Sequence, residues 1–286
     1  MIVDIIIPTY NRPTLLKETL ESVAGQTYPN WVCWIVEDGD TQDTCETVKP
    51  FLEDNRFRYL TGEHSGFPAA PRNRGISKGN AGYIAFLDDD DLWLPEKLEK
   101  QVAFLDCHPE CVLLGCNAFY WSNKDHWGKC PLYFRKNVLG KIGYEKMIEQ
   151  DYLIHSSVIL RRTALEKAGL YNETLDPPLG EDYEAWLRVG ALGEIWALPE
   201  PYVVYRATPQ TYYPKLDREQ RYRAAANILE SALNGVGGVP SPLSYPGNEH
   251  LAIACRSEID FYRAGPRFLG RFRHGISSKI KALLHP

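Results

Sequence analysis

Short apolar runs alternate with amphipathic stretches through the first half of the chain. Because branched and aromatic side chains dominate the runs, they predict buried strands at residues 3–7, 31–36, 57–60 and 83–87. Apolar residues at helical spacing predict helices at residues 13–23, 45–52, in the second half of 62–80, and at 96–105. Alternating strands and helices are typical of a parallel sheet covered by helices on its faces. We therefore expect an α/β fold.

The pattern in the second half of the chain is less regular. It predicts strands at residues 112–120, 155–160, 194–198 and 202–205, and helices at 162–168, 180–193, 217–233 and 249–264. A break rich in Gly, Pro and Ser at 235–247 separates the last two helices. We expect the chain after Arg206 to be a helical extension.

The last segment, residues 267–284, has the pattern of a basic amphipathic helix. Phe, Leu and Ile side chains fall on one half of the helical wheel, and most of the basic side chains fall on the other. Such a helix either lies on an anionic membrane surface or docks on its own domain. Gly270 and Gly275 weaken an isolated helix, which slightly favours docking.

Composition and charge limit the classes of function. With 286 residues, 44% of them apolar, the chain can form one large domain or two fused lobes. Its formal charge of -5 gives no argument for binding nucleic acid. The charge is unevenly distributed, because six Arg and Lys residues but no Asp or Glu follow Asp260. We expect an acidic body with a basic tail and no nucleic-acid partner.

The sequence carries no signal for secretion or for a membrane span. Its start lacks a basic region followed by an apolar core, and no stretch of about 18 uninterrupted apolar residues occurs. The seven cysteines lack the spacing of a disulfide module, which fits a reducing cytosol. The Cys and His residues between 107 and 130 match no compact zinc motif, so zinc is disfavoured. We expect a cytoplasmic protein, peripheral at the inner face of the membrane if the tail binds lipid.

Polar and acidic turns follow three of the predicted strands, at residues 8–12, 37–40 and 88–91. Because the carboxyl ends of parallel strands share one edge of a sheet, we expect these turns to assemble a ligand site. The four consecutive Asp residues at 88–91 repel one another, and a cation or solvent must take up their charge. The alternative is a solvated acidic turn in which Asp91 helps to start the next helix.

Two further segments carry charged residues at predicted helix starts. Arg72 and Arg74 lie near the start of the third helix, and a cation beside a helix amino end favours an anion such as phosphate. A nucleoside diphosphate with a divalent metal on the carboxylates would suit this site. Glu181 and Asp182 begin a later helix, where the helix dipole alone would explain acidic residues.

Five ordered segments of the sequence resemble the motifs of family 2 glycosyltransferases. They are Ile5-Ile6-Ile7-Pro8-Thr9-Tyr10-Asn11-Arg12, Val36-Glu37-Asp38-Gly39-Asp40, Pro71-Arg72-Asn73-Arg74-Gly75, Phe86-Leu87-Asp88-Asp89-Asp90-Asp91-Leu92-Trp93 and Gly180-Glu181-Asp182-Tyr183. The resemblance extends over residues 1–206. It implies a GT-A type Rossmann-like fold, a nucleotide-sugar donor, inversion at the anomeric carbon, and Mn²⁺ or Mg²⁺ as cofactor.

The resemblance also implies roles for single residues. Asp182 would be the catalytic base, supported by Glu181. Asp88 and Asp90 would form the metal-binding Asp-any-Asp motif, with Asp88 also near the ribose, and Asp91 would be structural. The residues implied to bind the nucleotide are Pro8, Thr9, Tyr10, Arg12, Asp38, Arg72, Asp88 and Asp89.

These implications lead to a functional hypothesis. Residues 1–110 would form the nucleotide-sugar-binding half, 111–206 the acceptor-binding half, and 207–286 the helical extension with the basic tail. The Gln-x-x-Arg-Trp signature of processive synthases is absent, so we expect transfer of a single sugar. The donor would be a nucleotide-diphosphate sugar, with UDP favoured. The acceptor would be a glycan or a polyprenyl-linked sugar in polysaccharide biosynthesis.

The sequence departs from the family pattern at three places, and the first, Val36-Glu37-Asp38-Gly39-Asp40 where Val-Asp-Asp-Gly-Ser is more common, keeps the charge. Pro71 stands where Ala is usual, and Ala207-Thr208-Pro209 follows Arg206 where many members have a His that assists metal binding. One alternative function is an inactive nucleotide-sugar- or metal-binding module, against which the retention of Asp90 and Asp182 argues. The other is a sugar nucleotidyltransferase, which would carry a Gly-rich loop that residues 8–12 do not form.

Overall fold

The computed structural model describes residues 1–122, 126–207 and 217–264. Within these residues one sheet has nine strands: β1 (Val3–Thr9), β2 (Trp31–Glu37), β3 (Phe57–Leu60), β4 (Tyr83–Phe86), β5 (Leu92–Trp93), β6 (Cys111–Trp121), β7 (Gly140–Ile142), β8 (Ile159–Arg161) and β9 (Glu194–Arg206). Their order across the sheet is β3-β2-β1-β4-β8-β6-β9-β5, and β7 also pairs with β9.

The first four strands of the chain run parallel, as their buried apolar runs predict. The central strand β1 pairs with β2 on one side, from Val3 opposite Trp31 to Thr9 opposite Glu37, and with β4 on the other. All seven residues of β1 are buried, because both faces of a parallel sheet are covered. The α/β fold expected from the sequence is thereby confirmed, and the ends of β1, β2 and β4 lie side by side at one edge.

Helices fill the connections between strands and dominate the end of the described chain. They are α1 (Pro13–Ala24), α2 (Gln42–Val48), α3 (Ala69–Lys78), α4 (Lys97–Cys107), α5 (Tyr144–Glu149), α6 (Arg162–Ala168), α7 (Glu181–Gly190), α8 (Arg218–Asn234) and α9 (Glu249–Ala264). Asp217 and Gln220 form a capping box that starts α8.

Helix α3 approaches the sheet closely because residue 75 is glycine. A Cβ atom at Gly75 would lie 2.9 Å from Cγ2 of Val36 and 3.1 Å from Cγ2 of Ile6. Residues three apart share a helix face, so Arg72 also points to the sheet side of α3. The glycine thus brings a buried arginine to the carboxyl edge of the sheet.

One predicted strand is wrong over half its length. Residues 155–160 contain a 3₁₀ turn, His155–Ser157, before the short strand β8. The carbonyl of Ser156 accepts a hydrogen bond from Nε1 of Trp93 at 2.7 Å, and that of Ser157 accepts one from Nε2 of Gln101 at 2.9 Å. Side chains therefore replace the strand bonds that an extended segment would make here.

Two other boundaries also differ from the predictions. The two short strands expected after residue 193 are one strand, β9, because Pro199 and Pro201 keep a φ angle that extended backbone tolerates. The helix expected at residues 45–52 is α2 followed by a 3₁₀ turn, Lys49–Glu53, with Pro50 in its first turn.

The chain forms two compact units that interleave in sequence. The first contains Met1–Gly140, Leu153–Thr163 and the chain from Trp196 to the end of β9, whereas the second contains Lys141–Tyr152, Ala164–Ile195, α8 and α9. The units do not follow the boundaries expected near residues 110 and 206, because β8 and most of β9 belong to the sheet of the first unit. The functional division into three segments stays a prediction.

The second unit has a buried ion pair on α7. Nη2 of Arg188 lies 2.6 Å from Oε2 of Glu184, and neither side chain is exposed. Oγ of Ser231 on α8 also donates a hydrogen bond to Glu184, at 2.8 Å. Removing one charge of such a pair typically costs about 3–5 kcal/mol, so this contact fixes α7 within its unit.

Two sequence predictions fall outside the described residues. They are the amphipathic tail at 267–284 and the segment 208–216, which contains most of the unusual sequence after Arg206. Among the residues that are described, none of the helices has the length and apolar character needed to cross a bilayer.

Candidate active site

The three polar turns predicted from the sequence meet at the carboxyl ends of β1, β2 and β4. The backbone N–H of Asp38 donates to the carbonyl of Thr9 at 2.9 Å, which joins the first two turns. Oγ1 of Thr9 donates to Oδ2 of Asp89 at 2.7 Å, which joins the first and third. Residues far apart in sequence thus share one edge, and residues 88–91 are called the acidic turn below.

A buried threonine of α1, Thr19, binds the backbone of the acidic turn. Oγ1 of Thr19 lies 3.0 Å from the carbonyl oxygen of Asp89 and 2.8 Å from that of Asp91, within donating distance of both. The buried Asp91 carboxyl accepts the backbone N–H of Arg206 at 2.8 Å. Burial, reinforced by the charges of Asp90 and Asp88, raises the pKa of Asp91 well above its usual value. Asp91 therefore joins the turn to the end of β9.

Asp88 is bound by two basic side chains on the same oxygen. Its Oδ1 lies 2.9 Å from Nη2 of Arg72 and 3.2 Å from Nδ1 of His155. Its backbone N–H donates to Oγ of Ser156 at 3.1 Å. Burial opposes ionisation, but the charges of His155 and Arg72 outweigh it and hold the pKa of Asp88 well below its usual value. About a third of the side chain remains exposed, 32%, so an ionised carboxylate faces the open edge.

Asp89 and Asp90 share the guanidinium of Arg12. Nη1 of Arg12 lies 3.1 Å from Oδ1 of Asp89 and 3.1 Å from Oδ2 of Asp90. Burial and the charge of Asp90 raise the pKa of Asp89 to about 7, although the charge of Arg12 opposes them. Arg12 is thus placed to neutralise the acidic turn.

Asp38 lies at the end of β2, where its carboxylate binds the loop after β3. Oδ1 accepts the N–H of Ser65 at 2.9 Å and its hydroxyl at 2.8 Å, and Oδ2 accepts the N–H of Gly66 at 2.9 Å. The ring of His64 stacks on Tyr10, with centroids 4.0 Å apart. Pro8 is buried within β1. The residues predicted to line a base pocket are therefore neighbours, but the Asp38 carboxylate is engaged by its own chain.

Sequence reasoning missed His155, which the structure places directly on Asp88. The branched residues after it made 155–160 resemble a strand, and nothing in that pattern marks a turn that projects His155 and Ser156 toward the acidic turn. The ring of His155 is buried and packs 5.2 Å from that of Phe86, the last residue of β4. A polar His-Ser-Ser before an apolar run was the only available signal.

Glu181 and Asp182 lie in the second unit, at the first two positions of α7. Gly180 precedes them with φ of 74°, in the left-handed region that favours glycine. A Cβ atom there would lie 2.6 Å from Cδ1 of Ile228, so two constraints require glycine at this helix start. Oδ1 of Asp182 accepts the N–H of Tyr183 at 2.8 Å. Glu181 is buried, whereas Asp182 is half-buried.

The donor set of the acidic turn fits a divalent cation that also binds a ligand. Asp88 and Asp90 offer hard carboxylate oxygens, and each already has a basic side chain as neighbour. Mg²⁺ and similar ions on nucleotides take one or two carboxylates and complete their coordination with phosphates and water. Within the described ranges no group of three or more His, Cys, Asp or Glu side chains is arranged to hold a metal by itself. The carboxylates of Asp88 and Asp90 therefore fit a divalent cation as two of its ligands.

A family model and known sequences resemble the chain. The family model described as "Glycosyl transferase family 2" matches residues 4–169. An uncharacterized glycosyltransferase of Rickettsia bellii is 42% identical over 104 residues, which are 36% of this chain and 15% of that protein. UDP-Glc:alpha-D-GlcNAc-diphosphoundecaprenol beta-1,3-glucosyltransferase WfgD of Escherichia coli is 30% identical over 189 residues, 66% of this chain and 69% of WfgD. The chain thus spans a small part of one relative and about two thirds of the other.

Solved structures show the same fold. S. aureus TarS 1–349, crystallised with UDP, superposes with a TM-score of 0.69 at 20% identity, covering 96% of this chain and 76% of TarS 1–349. The mannosyltransferase PcManGT of Pyrobaculum calidifontis, solved with GDP-Man and Mn2+, gives 0.61 at 18% identity, covering 99% and 78%. The predicted GT-A type fold is confirmed by this likeness.

Proposed function

The chain belongs to glycosyltransferase family 2, and from this premise we propose that it transfers one sugar from a nucleotide-diphosphate sugar to an acceptor hydroxyl. The observation that carries the proposal is the acidic turn, where Asp88, held by Arg72 and His155, lies two residues from Asp90. UDP is the favoured nucleotide, because WfgD is named for UDP-Glc and a TarS structure contains UDP.

The donor site follows from the order of the strand ends. Asp38 and Tyr10 lie toward β2 and β1, and would bind the base. Arg72 and the acidic turn follow at β4, and would bind the ribose and diphosphate. A divalent cation on Asp88 and Asp90, Mn²⁺ or Mg²⁺, would supply Lewis-acid stabilisation of the leaving diphosphate. A PcManGT structure with Mn2+ supports this cofactor.

The proposed base is Asp182, carried over from the family motif. Attack on the anomeric carbon requires removal of the proton from the acceptor hydroxyl, a task that typically contributes 10²- to 10⁴-fold to the rate. Asp182 would take that proton at its carboxylate, and Glu181 would support it. Attack opposite the leaving group gives inversion.

The proposed acceptor is a glycan or a lipid-linked sugar. WfgD is named for an acceptor that carries GlcNAc on diphosphoundecaprenol, which supports a polyprenyl-linked substrate in polysaccharide assembly. Such a substrate would place the enzyme at the inner face of the membrane, where the basic tail would contact anionic lipid.

Calorimetric titration with UDP, in the presence and absence of Mn²⁺, tests the donor site. We expect UDP to bind in Mn²⁺, and Asp90→Ala to weaken that binding by about tenfold or more, since the UDP diphosphate would lose its metal bridge to the protein.

Asp182→Asn should bind UDP normally but lose sugar transfer by about 10²- to 10⁴-fold. The matched control is Asp43→Asn, on the exposed surface of α2. Unchanged UDP binding in Asp90→Ala contradicts the proposed metal site, and unchanged transfer in Asp182→Asn contradicts the proposed base.

A further inference from the structure

Three tyrosines form a cluster at the carboxyl ends of β6 and β9. Their ring centroids are 6.0 Å apart for Tyr120 and Tyr133, 6.0 Å for Tyr120 and Tyr205, and 5.2 Å for Tyr133 and Tyr205. Tyr120 is 42% exposed, whereas Tyr133 and Tyr205 are half-buried and pack on the core of the first unit. This group is called the tyrosine platform below. It consists of one exposed ring, that of Tyr120, which packs on the two half-buried rings of Tyr133 and Tyr205.

The platform is rigidly supported by the fully buried side chain of Asn117. Its Nδ2 donates to the carbonyl of Phe134 at 2.9 Å, and its Oδ1 accepts the N–H of Phe134 at 3.0 Å. The N–H of Tyr133 donates to the carbonyl of Ala118 at 2.8 Å. The segment that contains Tyr133 and Phe134 therefore lies along β6 like an added strand. The buried Asn117 side chain fixes it there through its hydrogen bonds to Phe134.

The platform lies on the same edge of the sheet as the acidic turn. Strand β8 is antiparallel to both β4 and β6, so β4 and β6 run in the same direction and end at the same edge. The N–H of Arg206, next to Tyr205, donates to Asp91 at 2.8 Å. The N–H of Ala207 donates to the carbonyl of Trp121, next to Tyr120, at 2.8 Å. The bond to the Asp91 carboxylate thus joins the end of β9 to the acidic turn, and the bond to Trp121 joins the ends of β9 and β6.

The order of the strands separates the platform from the proposed base pocket. Across the sheet, β2, which precedes Asp38, comes before β4, while β6 and β9 with the platform lie between β4 and β5, the two strands that the acidic turn connects. A donor with its base at β2 and its diphosphate at β4 would lie on the β2 side of the platform, and the platform would then contact the second substrate.

We infer that the tyrosine platform binds a sugar ring of the acceptor, an inference that rests on the proposed transferase function. A pyranose ring has an apolar C–H face and a rim of hydroxyl groups. Tyrosine matches both, because its ring offers an apolar face and its hydroxyl a hydrogen-bonding partner. The platform thereby holds the acceptor beside the acidic turn.

Binding to a glycan array, with UDP and Mn²⁺ present, tests this inference in the full-length protein. Glycans that bind the wild type should bind Tyr120→Ala about tenfold more weakly, and Tyr120→Phe should lie between the two because it keeps the ring. Leu52→Ala is the control, since Leu52 is equally exposed at 42% on the 3₁₀ turn after α2. Thermal unfolding should not distinguish the variants from the wild type.

Titration with UDP and Mn²⁺ separates this inference from the proposed function. If Tyr120→Ala binds UDP normally and loses glycan binding, both stand. If the wild type binds UDP but no glycan, or if Tyr120→Ala keeps full glycan affinity, the platform inference is overturned while the donor site stands. If the wild type fails to bind UDP in Mn²⁺, the proposed function fails.

Discussion

At the scale of single residues, the site depends on how charge is distributed over the acidic turn. Asp88 has His155 and Arg72 on one oxygen, whereas Asp89 and Asp90 share Arg12. These basic side chains partly neutralise the adjacent carboxylates. Because Oδ1 of Asp88 accepts a hydrogen bond from Arg72 and lies within ion-pair distance of His155, its carboxylate is oriented before a ligand arrives, which is a form of preorganisation.

His155→Ala should weaken binding of UDP in Mn²⁺ by about tenfold, because Asp88 loses one of the two groups that orient it. His155→Asn should recover part of the loss, since its amide nitrogen occupies a position like that of Nδ1. His108→Ala is the control, because His108 stacks on Phe104 and makes no contact with the acidic turn among the described contacts. Calorimetry measures the effect, and equal affinities for His155→Ala and the wild type would exclude a positioning role.

The acidic residues of the site could be predicted from the sequence, but their partners could not. Consecutive Asp residues after an apolar run mark a strand end, and a parallel sheet then brings Thr9 and Asp38 to the same edge. The contacts of Asp88 depend on a turn that forms because Trp93 and Gln101 donate to its carbonyls. Such long-range side-chain bonds leave no periodic signal in the sequence.

At the scale of elements, α4 supports this turn through a buried lysine. Nζ of Lys97 donates to Oε1 of Gln101 at 2.7 Å and lies 3.9 Å from the centroid of the Trp93 ring. Both of these neighbours donate to the turn that carries His155. Burial lowers the pKa of Lys97 from 10.5 to about 7. The unfolded chain therefore binds more protons than the folded protein between these two values, and stability rises with pH in that range.

Lys97→Met should gain stability relative to the wild type at about pH 7 and lose about half of that advantage by about pH 9, because the pKa of Lys97 in the unfolded chain is 10.5. Each pH unit between the two pKa values changes the difference in unfolding free energy by up to about 1.4 kcal/mol. Urea unfolding of both proteins at the two pH values measures this difference. Lys17→Met, at an exposed position of α1, should show none of it. A difference independent of pH would show that Lys97 stays protonated in the folded protein.

The elements of the first half were predictable because local pattern and tertiary position agree there. Strand β3 has the predicted bounds, and β1, β2 and β4 agree within two residues. Distant side chains decide the backbone at His155–Ser157, and at β9 two prolines fit within a continuous strand where the pattern predicted two. Sequence periodicity reports burial, and it does not report which neighbour satisfies a carbonyl.

At the scale of the whole molecule, sequence order and spatial organisation diverge. The sequence pattern predicted successive segments, whereas each of the two compact units is built from several separate segments of the chain. This interleaving is set by the return of β8 between β4 and β6, which a linear pattern cannot specify. Charge, by contrast, is visible in the sequence, because the last basic residues follow an acidic body.

Deleting residues 265–286 should abolish co-sedimentation with anionic vesicles, because the deletion removes most of the basic residues after Asp260. Binding of the full-length chain should weaken as salt is added, since salt screens exposed charges. Both chains should bind UDP in Mn²⁺ alike, which shows that the shortened chain is folded. Vesicles of zwitterionic lipid are the control. Co-sedimentation unaffected by the deletion would leave docking on the domain as the function of the tail.

The hydrogen bonds of Asp38 have a consequence for turnover. Three donors from Ser65 and Gly66 already occupy its carboxylate. A base that bonds to Asp38 must exchange with these donors, so the net gain is smaller than for a vacant acceptor. When the nucleotide dissociates, the loop recovers its own bonds and the carboxylate is not left unsatisfied. An enzyme that must release a nucleoside diphosphate in every cycle would therefore gain speed of product release at the expense of affinity.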